Sequence, residues 1–143
     1  VIRETYYGAL FTLLETLGDS AGIKTIDRRV RYLQEMEASE LPALFMAVDS
    51  QTPVQRRGQP TRHQFTARVF IYAKTANRKT PADIQLNGLL DAVDDLIAPP
   101  VGEETQTLGN LVSHCWIDGP IEVFAAKDGE KSAAIVTIQM LIP

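Results

Sequence analysis

The side chains of this sequence able to do chemistry are few: His63 and His114, its two histidines, Cys115, its one cysteine, and the aspartates Asp91, Asp94 and Asp95. A cysteine nucleophile needs an imidazole within hydrogen-bond reach. His114 and Cys115 are adjacent in a stretch that reads as a strand, so they project to opposite faces and cannot act as a pair. Neither histidine has a second histidine or a cysteine at a spacing suited to a metal. Asp91 and Asp95 stand four apart on one helix face, where two carboxylates can hold a divalent cation or pass a proton. No third oxygen ligand or histidine accompanies them. The glycine patterns Gly-x-Gly-x-x-Gly and Gly-x-x-x-x-Gly-Lys-Ser/Thr are absent, and with them the usual phosphate cradles. The expectation is a chain that is not an enzyme, with no catalytic residue, metal or cofactor.

Charge, not chemistry, is what stands out. Between Gln51 and Thr80 lie seven basic residues (Arg56, Arg57, Arg62, Arg68, Lys74, Arg78, Lys79) and no acidic ones. Between Pro81 and Ala126 lie eight acidic residues (Asp83, Asp91, Asp94, Asp95, Glu103, Glu104, Asp118, Glu122) and no basic ones. Such a separation suits head-to-tail contacts, in which one copy's basic arm meets the next copy's acidic helix and a closing rotation makes a ring. Two other readings stay open: the blocks mix in space and merely solvate the surface, or the basic segment meets nucleic acid.

The chain has 143 residues and 45% apolar types, which fits a single domain over 1–143 with an ordinary core. Its net charge of −4 argues against general attraction to phosphate backbones. Specific nucleic-acid binding is therefore not expected. One cysteine permits no intrachain disulfide, which suits a reducing, cytoplasm-like setting. The apolar runs are too short to cross a bilayer, and no signal-peptide core is expected at the N-terminus.

The elements that would position these groups follow from periodicity. Tyr6, Leu10, Leu13, Leu14 and Leu17 recur at helical spacing from about Arg3, with Gly18 as a left-handed stop. Lys24 to Arg31 reads as a weak strand, and Leu41 to Val48 as a buried one with Pro42 at its start. Asp49 to Arg62 is polar and punctuated by Pro53, Gly58 and Pro60, a long basic loop or a hairpin with frayed arms. Phe65, Ala67, Val69, Ile71 and Ala73 then alternate with Thr66, Arg68, Phe70, Tyr72 and Lys74, the clearest strand of all.

A second helix opens at Thr80-Pro81-Ala82-Asp83, with Thr80 as the expected cap. It carries Ile84, Leu86, Leu89, Leu90, Val93, Leu96 and Ile97 as an apolar stripe and stops at Pro99-Pro100. The last third reads as three strands: Leu111 to Ile117, then Ile121 to Ala126 after a turn at Gly119-Pro120, then Ala133 to Ile142 after a reversal at Asp128-Gly129. The fold class expected is α+β, a largely antiparallel sheet with the two helices on one face. The other face, with Phe70, Tyr72 and Trp116, is left seeking a partner.

The leading amphipathic helix, the Val30-Arg31 region, Leu41-Pro42-Ala43-Leu44 opening an apolar strand, the basic loop before Phe65 to Ala73, the helix begun at Pro81 and the link Thr107-Leu108-Gly109-Asn110-Leu111-Val112 together span nearly the whole chain. In this order they resemble the tail terminator proteins of long-tailed bacteriophages, the group of minor tail protein U and related tail-completion proteins. Relatives of that kind often carry two glycines where this chain has Gly109-Asn110, and asparagine tolerates the left-handed region.

The resemblance implies an α+β subunit of a ring, hexameric in that family, which caps the tail tube, ends its polymerisation and offers a surface to head-completion or neck proteins. It implies a place in the virion tail after assembly in the host cytoplasm. It makes Arg56, Arg57, Arg62 and Arg68 the candidates for contact with the tube or a neighbouring subunit, and Asp91, Asp94 and Asp95 the candidates for the opposing surface. The alternatives are a head-tail connector or neck ring protein, and a small nucleic-acid-binding module in which those arginines meet backbone while Phe70 and Tyr72 stack on bases. A small-molecule enzyme is a third, resting on fold class alone.

Overall fold

The computed structural model describes residues 1–75, 79–125 and 130–143. The strand with the most regular alternation, β3 (Arg62–Lys74), lies at the centre of a five-stranded sheet. Its partners are β1 (Thr25–Asp27), β2 (Ala43–Val54), β4 (His114–Ala125) and β5 (Lys131–Ile142), in the spatial order β1-β2-β3-β5-β4. β1 runs parallel to β2, and every other pairing is antiparallel. The expected α+β class holds.

Period-two alternation sends Phe65, Ala67, Val69, Ile71 and Ala73 of β3 to one face, beside Ala134, Val136, Ile138, Met140 and Ile142 of β5, all buried. This inner face receives both main helices: α1 (Arg3–Glu15) through Tyr7, Leu10 and Leu14, and α3 (Ala82–Ile97) through Leu86, Leu89, Val93 and Ile97. Tyr7 stacks on Phe65 at 5.5 Å between ring centroids, and its hydroxyl donates to the Thr66 carbonyl at 3.0 Å. That one side chain ties α1 to the central strand by both apolar contact and a hydrogen bond.

Several elements differ from the sequence reading. The first helix ends at Glu15, and Gly18 lies inside a four-residue helical turn, α2 (Leu17–Ser20). The left-handed residue that follows is Gly22 at φ 69°. Only Thr25–Asp27 of the expected Lys24 to Arg31 strand pairs with β2. Thr80 does not cap α3: the residue preceding the helix is Pro81, in extended conformation, and the Thr80 carbonyl accepts the Thr75 hydroxyl. Ile84, expected in the apolar stripe, is 61% exposed.

Gly119-Pro120 is a bulge and not a turn, so the last third contains two strands where three were expected. From Asp118 to Glu122, β4 advances four residues while β5 advances two, from Thr137 to Ile135. A continuous β5 is long enough to hold both halves of β4 in one ladder, and the extra residues loop out at Gly119, φ 71°. Leu111 to Ser113 precede β4. The polar segment from Asp49 is largely a hairpin, with β2 reaching Val54 and pairing it with Arg62. The expected reversal at Asp128-Gly129, together with Ala126 and Arg78, lies outside the described residues.

At the sheet edges, β1 pairs with β2 only along Ala43–Phe45 and leaves Met46–Val54 without a strand partner on that side, while β4 carries the Gly119-Pro120 bulge and is covered at Cys115, whose amide donates to the Gln106 carbonyl at 2.8 Å. Burial sets the expected mutational contrast. Leu86→Ala should cost about 2–5 kcal/mol in urea unfolding, and Ile84→Ala, two residues earlier on the solvent side, less than about 0.5 kcal/mol.

Candidate interaction surface

The sheet's outer face is closed over half its length by the chain's own segment 28–41. Met36 and Leu41 bury against Ala43, Phe45, Tyr72 and Ala133, with Leu33 and Phe70 at the margin. Two short 3-10 turns, Leu33–Glu35 and Ala38–Glu40, carry this strap across the sheet.

Side chains of the sheet fix it by its backbone carbonyls: Lys74 Nζ donates to Ala38 at 2.6 Å, Lys131 Nζ to Met36 at 3.0 Å and the Tyr72 hydroxyl to Arg31 at 2.7 Å. Arg31 closes the strap on itself through both guanidinium nitrogens to the Glu40 carboxylate, at 2.6 and 3.2 Å. The Arg31 hydrogen bond and the Glu37 amide hold the Glu40 carboxyl below its ordinary range, and burial pushes the Tyr72 phenol up, so it stays a donor. The expected free aromatic face is therefore corrected: Tyr72 is buried under the strap, and Phe70 is half-covered. Trp116, beyond the strap, is half-buried and stacks on His114 with centroids 4.6 Å apart.

Beyond the strap, the outer face is polar at its centre. Gln139 Oε1 accepts from Thr66 Oγ1 at 2.7 Å and Gln64 Nε2 at 3.2 Å, and Gln139 Nε2 donates to Asp118 at 3.3 Å, a ladder across three strands. The signal for it was Gln139 standing, with Thr137, in an otherwise apolar C-terminal run. The signal for the strap was weaker, since Arg31 and Glu40 stand too far apart in sequence for a helical pair.

The four expected arginines separate into two places. Arg56 and Arg57 are exposed in the loop between β2 and β3, and Arg62 opens β3 with Nη2 donating to Ser113 Oγ at 3.1 Å. Arg68 lies six residues along the strand, roughly 20 Å away at strand rise, half-buried on the outer face between Ala47 and Thr137. At the loop, Arg56 and Arg62 line a cleft of about 260 Å³ whose other walls are Val54, Gln59, Pro60 and Leu141. Arg57 and Arg68 are not part of it.

Asp91, Asp94 and Asp95 are exposed on the solvent side of α3, in its last two turns. That end of the helix carries the partial negative charge of the helix dipole, and no basic residue occupies its last turn. The resolved ion pairs are Arg28 with Glu4 and Arg31 with Glu40. None of the seven expected site residues pairs with a described residue of opposite charge.

Catalytic groups do not converge. Cys115 faces the core under the helices, where burial pushes its thiol up to about 12, while His114 faces the other way. His63 sits against Phe65 at 5.7 Å. Among the described residues no three His, Cys, Asp or Glu side chains come together as a metal site, and no helix is long and apolar enough to cross a membrane.

Comparison with known structures gives this arrangement a context. A chain from the virion of a native gene transfer agent particle superposes with a TM-score of 0.51 and 11% identity, covering 94% of this chain and 92% of that one. The two share a fold. A second solved chain, whose description states no activity, matches with a TM-score of 0.50 and 10% identity over 100% of this chain and 96% of its own. No family model matches the sequence, and no curated protein matches it significantly. The shared fold thus spans most of the chain.

Two outcomes follow from the electrostatics. Because Glu40's carboxyl is depressed in the folded state, its contribution is present above the ordinary carboxylate range and lost as pH falls through the folded value. Amide and methyl NMR signals of residues 33–41 should therefore show the strap loosening as pH falls below the ordinary carboxylate range, and Glu40→Gln should remove that acid step. Cys115 should resist alkylation in the native protein at pH 8 and react at once in denaturant; equal rates in both states would contradict its placement.

Proposed function

We propose that this chain is a structural virion subunit that forms a ring on the end of a phage-type tail tube, ends the tube's polymerisation and provides the head-joining surface. The observation that carries the reading is the fold match to a gene transfer agent virion chain over 94% of the sequence. The family resemblance of the sequence supplies the finer role, with a hexameric ring as the expected form. Its partners are further copies of itself, the tail tube protein and a head-completion or neck protein, and its place is the virion tail after assembly in the host cytoplasm. Non-enzymatic action is supported by the protonated, buried state of Cys115 and by His114 facing away from it.

In this reading the seven charged residues serve assembly. Arg56, Arg57, Arg62 and Arg68 face the tube or a neighbouring subunit, and Asp91, Asp94 and Asp95 the opposing contact. Ionised side chains left without partners on a folded subunit are the groups that gain when a complementary surface arrives. The test is electron microscopy of the purified protein mixed with tail tubes. Density confined to one end of each tube, with growth arrested, is the expected result. Absence of end binding would sink the reading, and affinity for single-stranded DNA falling steeply with salt would favour the nucleic-acid module in its place.

A further inference from the structure

The cleft at the hairpin tip and the acidic end of α3 occupy the same level of the sheet on its two sides. β2 and β3 close their hairpin at Val54 and Arg62, and Leu141, on the cleft wall, pairs with His114 at the start of β4. The end of α3 is fixed near that level, because Gln106 Nε2 donates to the Leu96 and Ala98 carbonyls at 3.4 and 3.2 Å while Gln106 pairs with Cys115. α3 covers the inner face, and Arg62 lies on the outer face with Gln64 and Thr66. A rotation about an axis along the strands keeps height unchanged, so side-by-side copies bring these two surfaces together.

We propose that the Arg56–Arg62 cleft is a carboxylate-binding notch whose occupant is the C-terminal turn of α3, Asp91, Asp94 and Asp95, of a second copy of this chain. The chemistry of the two surfaces is complementary in three respects. The cleft offers two guanidinium groups, one of them oriented by Ser113, above an apolar floor of Val54, Pro60 and Leu141. A guanidinium presents a planar fork of donors that matches a carboxylate. The helix turn offers carboxylates at the end where the macrodipole already favours a cation, and no basic residue lies in the helix's own last turn. Arg57 and Arg68 lie outside this contact and are left for the tube or another partner. The inference rests on the ring reading above and assigns which residues join one subunit to the next.

A charge-swap experiment tests it. One variant carries Arg56→Glu with Arg62→Glu, and a second carries Asp94→Arg with Asp95→Arg. Each alone should lose self-association by at least about tenfold in sedimentation, since like charges then face each other. An equal mixture should restore it, because every contact in an alternating ring is again between opposite charges. All four sites are exposed, so far-UV circular dichroism and thermal melting should match the parent chain. Parent-like association of either variant alone, failure of the mixture, or a parent chain that stays monomeric both free and with tube ends overturns the proposal. Mixing rescue without tube-end binding would keep the subunit contact and reject the tail-capping role, and end binding unaffected by the swaps would do the reverse.

Discussion

A sheet has two faces, and this chain has helices for one. The row Phe65, Ala67, Val69, Ile71 and Ala73 of β3 must be kept from water, and α1 and α3 together do that from one side. The remaining architecture answers the same constraint on the opposite side, where Phe45, Phe70 and Tyr72 are too apolar to stay open and too few to recruit a third helix. The segment 28–41 closes that half with two fully buried side chains, Met36 and Leu41, and a set of hydrogen bonds to its carbonyls.

The strap is held differently from the helices. Helices satisfy most of their own backbone groups and bring mainly apolar surface to the sheet, Tyr7 adding its hydroxyl bond to Thr66, but a strap of 3-10 turns brings unpaired carbonyls that must be met where they land. Lys74, Lys131 and Tyr72, on strands β3 and β5, meet them with donors that project from the same face they protect. Two residues counted toward the basic side of the molecule in sequence or lying near it, Lys74 and Lys131, are thereby spent within the fold.

Charge that is not used in this way remains available for contact. The hairpin tip holds Arg56, Arg57 and Arg62, and the solvent side of α3 holds Asp91, Asp94 and Asp95, with the sheet between them. Segregation of this kind costs self-repulsion within each patch, modest in water at ordinary ionic strength. It gives a subunit two unlike flanks, the condition for heterologous association.

Periodicity and turn chemistry in the sequence were enough for the α+β class, the faces of β3, the core stripe of α3 and the opposite orientation of His114 and Cys115, because each depends on neighbours within a few residues. The two charge blocks were legible for the same reason. Gly119-Pro120 read as a turn and became a bulge, since the choice rests on whether β5 runs past both halves of β4, a pairing no local window contains. Gly18 read as a helix stop although the left-handed residue is Gly22, and Phe70 and Tyr72 read as a free face although a segment some thirty to forty residues earlier covers much of it. The division of the four arginines into a cleft pair and two outliers likewise awaited the hairpin register and the arrival of Leu141. Local rules act through the chain's own next few bonds, while long-range burial and charge placement act through whichever distant segments the sheet brings alongside.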